Sequence, residues 1–165
     1  MNRITDFISD VLYFLLGKVS YLLRRHELFR KMHNTLMGNW YIEYHVCDHC
    51  NLNCKCCSHF SPVSESYSVS LEETEANFKK LSQSFVFRFR SLHLLGGEPL
   101  LHPQIVEILQ IARKYLPDKE IQILTNGILL LKMDDTFFNT VRDNNIHIGV
   151  TLYPVGVNYD EIKAL

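Results

Sequence analysis

Five cysteines fall within eleven residues, Cys47 to Cys57 in CDHCNLNCKCC, and the rest of the chain has none. Three of them, Cys50, Cys54 and Cys57, are spaced C-x3-C-x2-C, and Asn51, Asn53 and Lys55 between them favour an open loop over a continued strand. Thiolates delivered by one short loop can surround a compact iron-sulfur cluster, each holding one iron, whereas an isolated zinc ion prefers two separated knuckles. Three thiolates leave an iron without a protein ligand, and an iron with an open position can bind a substrate or cofactor. A fourth ligand from Cys47 would instead make a fully ligated cluster suited to electron transfer. Because Cys47 closes a strand, it is expected to be a partly buried free thiol, and Cys56, lying between two ligands, is expected to point away from them. A zinc site on Cys47-x2-Cys50 and Cys54-x2-Cys57 would be cramped, since its two pairs stand only three residues apart.

Such a loop needs a scaffold. From Trp40 the segment WYIEYHV alternates apolar Trp40, Ile42, Tyr44 and Val46 with Tyr41, Glu43 and His45, which predicts a strand ending at the cysteines. Ser70 with Glu73 three residues later forms a capping box that opens a helix running to about Ser84. SLHLL is a short buried strand leading into GGEP. Pro103 takes a first-turn position in the next helix, with Ile105, Ile108, Leu109 and Ala112 on one face and an end before Pro117. EIQILTNG predicts a third strand, DTFFNTVRDNN a third helix and IHIGVTLYP a fourth strand. Strand and helix alternate over short connections, so the expected architecture is α/β, a parallel sheet of right-handed βαβ units. Ligands gather at the carboxyl ends of such strands. There the cysteines, GGEP, TNG and TLYP all lie.

Composition bounds the rest. At 165 residues, 47% of them apolar and 21% charged, with a net charge of -1, the chain suits one globular domain and carries no electrostatic footprint for nucleic acid. Clustered, odd-numbered cysteines argue for a reducing compartment, and a cytoplasmic location is expected. The most apolar run, VLYFLLGKVSYLL, is 13 residues long with Lys18 inside it, short of the roughly 20 residues needed to span a bilayer. Its periodicity predicts an amphipathic helical extension over residues 1–39, packed on the domain; an interfacial membrane anchor is the alternative. Asn158 and Glu161 signal a helix start that stops after about two turns. The expectation is therefore that residues 40–165 are the N-terminal portion of a longer domain.

CNLNCKCC after a strand, then LLGGEPLLHP, then ILTNG resembles the radical S-adenosylmethionine (radical SAM) superfamily, whose signature is C-x3-C-x2-C followed by a GGEP-like motif. The likeness runs from about Trp40 to Tyr153. It implies a partial (β/α) barrel of about four β/α units, with a 4Fe-4S cluster on Cys50, Cys54 and Cys57 whose fourth iron chelates S-adenosyl-L-methionine. In that chemistry the reduced cluster cleaves the cofactor to a 5'-deoxyadenosyl radical, which abstracts hydrogen from a substrate. Gly96 and Gly97 are then expected to let the backbone approach the cofactor, Glu98 to accept from its ammonium, and Pro99 to turn the chain away. Thr125, Asn126 and Thr151 become polar contacts to ribose or carboxylate, while Gly127 makes a turn. Where the family commonly has an aromatic residue before the last cluster cysteine, this chain has Cys56, leaving adenine contact to His59 or Phe60. His49 and His59 flank the loop; His45, His93 and His102 read as ordinary strand or cap residues. A low-potential donor of flavodoxin or ferredoxin type is implied as partner, and the substrate is not named. An iron-sulfur electron-transfer module and a truncated, inactive remnant are the rival readings.

Overall fold

The computed structural model describes residues 41–83, 89–154 and 159–163. The helical extension expected over residues 1–39 and the Asn158 cap lie outside the described residues.

Four strands, β1 (Tyr41–Cys47), β2 (Ser91–Gly96), β3 (Glu120–Thr125) and β4 (Ile146–Val150), form one sheet in the order β1-β2-β3-β4. Every neighbouring pair is parallel. Helices α1 (Leu71–Gln83), α2 (Ile105–Tyr115) and α3 (Asp135–Asp143) alternate with them, and a short α4 (Tyr159–Ile162) follows. Laying each strand beside the last through a helical crossover is the construction of a partial (β/α) barrel.

The period-two pattern divides the sheet. Leu92 and Leu94 of β2 and Ile121 and Ile123 of β3 are fully buried, and they share a core with Phe78, Ile108, Leu109, Ala112 and Phe137 of the helices. Cutting either phenylalanine to alanine would cost about 3–5 kcal/mol. The opposite face is polar and open: Glu43, His93, Gln122 and His147 stand in register across all four strands, and Tyr41 stacks on His93 with ring centroids 4.6 Å apart.

Local signals set most of the boundaries. The Ser70 hydroxyl accepts from the Glu73 backbone N–H at 3.1 Å and opens α1, but the Glu73 carboxylate accepts from the Tyr67 hydroxyl at 2.7 Å instead of closing the capping box. Asp134 caps α3 through the N–H of Phe137. Pro103 is not in the first turn of α2: Gln104 is the cap residue and Ile105 opens the helix. Proline fits either position, because both leave its missing N–H unused. The third and fourth strands are shorter than their apolar runs and end at Thr125 and Val150.

At the amino end of the sheet one side chain gathers the helix exits. The Arg113 guanidinium donates to the carbonyls of Asn144 at 2.7 Å, Asn145 at 3.0 Å, Lys119 at 2.8 Å and Leu116 at 3.2 Å. These carbonyls lie where α2 and α3 run out of internal partners.

Candidate functional site

The cysteine loop leaves β1 and is pinned to the end of β2 by main-chain bonds. Gly97 N–H donates to Cys47 O at 2.8 Å and Glu98 N–H to His49 O at 3.0 Å. The glycines make this contact possible. A Cβ on Gly97 would stand 2.0 Å from His49 O, and one on Gly96, where φ is +149°, would stand 2.0 Å from Cys47 O. Both residues therefore admit the cysteine loop itself, a close neighbour in addition to the ligand approach expected of them. On the far side of the loop, Val69 N–H donates to Val46 O and Asp48 N–H to Tyr67 O, so the serine-rich segment returns alongside it.

Glu98 is wholly buried. Its Oε1 accepts from the Thr125 hydroxyl at 2.6 Å and from Leu100 N–H at 3.1 Å, and its Oε2 accepts from Asn126 N–H at 2.9 Å. Burial pushes its carboxyl pKa up, and these three hydrogen bonds pull against that shift without cancelling it. The side chain thus locks the end of β2 to the end of β3 and caps the 3-10 turn Pro99–Leu101, in which Pro99 is buried. Thr125 passes the connection on, its hydroxyl accepting from Gly127 N–H at 3.0 Å, with Gly127 at φ +81° making the expected turn. Asn126 closes the circuit: its Nδ2 donates to Asn51 Oδ1 at 2.7 Å and lies 3.9 Å from Cys50 Sγ.

Above this network opens a cavity of about 300 Å³. Cys50, Cys54 and Cys57 line it together with Gly96, Gly97, Glu98, Thr125, Asn126 and Thr151, so nine of the expected site residues share one space; Pro99 is buried and not part of the lining. Thr151 is exposed and holds the rim through its N–H to Thr125 O at 2.9 Å. Leu52, Leu95 and Leu124 give the cavity apolar walls, and Tyr153 faces the thiols. The Tyr153 phenol is pushed up by burial and further by the negative charge of Cys54, Cys50 and Cys57. Neither Tyr153 nor Asn51 was expected. Tyr153 could have been found, since the predicted strand ran through it and would place it two residues beyond Thr151 on the same side.

The five thiols differ. Cys47 is wholly buried, more than its strand-end position suggested; it donates to Glu98 O at 3.1 Å, and burial, first of several causes, raises its pKa to about 11. Cys50 is shifted up by burial, then by Glu98 and the neighbouring Cys54 and Cys57, against the donation of Leu52 N–H to its sulfur at 3.4 Å. For Cys57, burial pulls upward, but donation from the backbone of Ser61, His59 and Phe60 outweighs it and the pKa falls below the ordinary value. Cys56 is exposed yet borders the cavity, where it was expected to point away.

Of the flanking histidines, His59 lines the cavity, while His49 turns its Nδ1 toward Tyr67 O at 3.3 Å. Phe60 is 68% exposed at φ +57° and is not part of the lining. His102 is a buried cap residue between Val69 O and Gln104 N–H, as its position suggested.

The family pattern of the Radical SAM superfamily matches residues 44–158, from the middle of β1 to beyond β4. The chain belongs to the radical SAM superfamily. Among radical SAM relatives, GTP 3',8-cyclase of Chlorobaculum tepidum is 33% identical over 103 residues, covering 62% of this chain and 30% of the relative. The same enzyme of Microcystis aeruginosa is 32% identical over 114 residues, covering 66% and 34%. The chain therefore spans about a third of the length of these curated relatives. A solved structure, BtrN in complex with AdoMet and 2-DOIA, superposes with a TM-score of 0.57 at 20% identity, covering 76% of this chain and 51% of that one. At that identity the likeness speaks for the fold. Three converging thiols, one of them with its thiolate favoured by backbone donors, are a donor set that fits the iron-sulfur cluster implied by the superfamily. No helix among the described residues is long and apolar enough to cross a membrane.

Proposed function

We propose that this chain is the cofactor-binding part of a radical SAM enzyme, in which Cys50, Cys54 and Cys57 hold a 4Fe-4S cluster and leave one iron for S-adenosyl-L-methionine. The observation that carries this reading is that the three thiols line the same cavity as the GGEP and TNG strand ends. The buried Cys47 thiol, bonded to Glu98 O, supports three protein ligands over four. Held by Cys50, Cys54 and Cys57, such a cluster would supply one-electron reduction of the sulfonium of S-adenosyl-L-methionine, the chemistry from which hydrogen abstraction at a substrate would follow.

The chain's own share is positioning and water exclusion. Asn126 steadies the loop through Asn51 and lies within reach of the Cys50 sulfur. Glu98 spends its carboxylate on Thr125, Leu100 and Asn126, so an ammonium brought to this motif would meet its main chain and the rim, with the carboxylate charge behind them. Leu52, Leu95 and Leu124 keep the cavity walls dry. The polar row on the open sheet face supports a hydrogen-bonding substrate. A low-potential flavodoxin or ferredoxin serves as electron donor, and five free cysteines suit a reducing cytoplasm.

The test is anaerobic reconstitution followed by electron paramagnetic resonance of the reduced protein with and without S-adenosyl-L-methionine. A cluster signal that shifts on adding the cofactor is the expected result. A normal cluster signal indifferent to the cofactor overturns the reading in favour of an electron carrier or an incomplete site.

A further inference from the structure

The open face of the sheet carries a second group of metal-binding side chains beside the cavity. Glu43 and His45 stand two residues apart on β1 and so project from the same face, and His59 reaches them from the turn after the cysteines. Their candidate ligand atoms, one carboxylate oxygen and two imidazole nitrogens, all lie within 4.8 Å of one another. The two imidazoles meet edge to face with centroids 5.0 Å apart. Asp48 Oδ1 stands 4.0 Å from His45 Nδ1, beyond hydrogen-bond reach but close enough to add negative charge beside the imidazole. Among the described residues the Glu43 carboxylate makes no ion pair, so its charge is left for a cation.

We propose that Glu43, His45 and His59 form a binding site for a divalent metal ion of the zinc class, separate from the cysteine cavity and bordering it through His59. Two imidazoles and a carboxylate match borderline divalent ions, and three protein ligands leave positions for water or an oxygen donor. Donor atoms sit about 2.0–2.2 Å from such an ion, so the three side chains close on it by movements of about an ångström, which exposed side chains make by small rotations. Glu43 and His45 are exposed and His59 is half-buried, so access is open. This site goes beyond the radical SAM reading and does not depend on it.

The test uses zinc ion alone on the cluster-reconstituted full chain, read by titration calorimetry and by X-ray absorption at the zinc edge, which ignores iron. One equivalent of zinc is expected, with nitrogen and oxygen neighbours at about 2.0–2.1 Å and no sulfur at about 2.3 Å. Glu43→Gln, His45→Gln and His59→Asn should each weaken zinc binding at least tenfold with unchanged circular dichroism, and Glu43→Gln and His45→Gln, which lie outside the cysteine cavity, should also leave the cluster signal unchanged. A sulfur shell in the wild-type protein, or zinc affinity unchanged in all three variants, overturns the site. Should the protein take up no cluster, the same measurement on the chain with Cys50, Cys54, Cys56 and Cys57 changed to serine decides the matter. Nitrogen and oxygen neighbours there sustain the metal site while the radical SAM reading fails; no zinc binding there overturns the site as well.

Discussion

The two ends of the cysteine loop hold the same functional group in opposite conditions. At the Cys47 end the thiol is sealed under the GGEP main chain and its pKa is driven to about 11. At the Cys57 end, ten residues on, backbone N–H groups of a tight turn favour the thiolate. Residue type alone makes both candidate ligands. Burial at one sulfur and backbone donors at the other separate a thiol that stays protonated from one prepared to bind metal.

The strongest way to break that contrast is to delete each sulfur in turn. Alanine at Cys50, Cys54 or Cys57 should abolish cluster loading, whereas Cys47→Ala should keep iron and sulfide near wild type; equal loss at all four would merge the two ends. The next test is chemical. At pH 8 a thiol of pKa about 11 is ionised to roughly one part in a thousand, so iodoacetamide should modify Cys57 of the cluster-free protein at least a hundredfold faster than Cys47. Peptide mass spectrometry over time reads both rates, and similar rates would mean that the Cys47 end opens readily.

A smaller effect is expected at the joint between the loop and the sheet. Gly97→Ala places its Cβ against a backbone oxygen that cannot rotate away, and overpacking of that kind should cost about 3 kcal/mol. Urea unfolding measures the loss; an unchanged midpoint would show that the loop is free to shift. The mildest change is Glu98→Gln, which sets an amide among three donors and should cost about 1–3 kcal/mol at neutral pH. The native Glu98 pKa is raised, so the folded protein retains a proton that the unfolded chain has lost. Its contribution to stability therefore falls as pH rises from the unfolded carboxylate range through the folded pKa, and is constant above it. In Glu98→Gln that slope should vanish from the pH dependence of the urea midpoint.

What the sequence disclosed follows from the range of each signal. Strand periodicity, the Ser70 cap and the C-x3-C-x2-C spacing are local, and each points to the right element. GGEP was legible as a motif, but the partners of its glycines were not, because His49 and Cys47 lie about fifty residues upstream. The bond from Thr125 to Glu98 spans 27 residues and that from Asn126 to Asn51 spans 75. Only the parallel order of the strands brings those loops together. Pro103 was misplaced by two positions for a different reason: its chemistry suits the residue before a helix cap as well as the first turn.

The Arg113 clamp gives the molecule a division of labour. It ties two helix exits and two strand entries at the end of the sheet away from the cysteines. The floor is thereby tied independently of the hydrogen bonds that join the GGEP and TNG strand ends above it. For an engineer, that leaves rim positions outside the cysteine loop, GGEP and TNG as the place for randomised libraries, with Arg113 a residue to leave untouched. For a lineage of proteins, it is a route by which new substrates can be explored while the fold is retained.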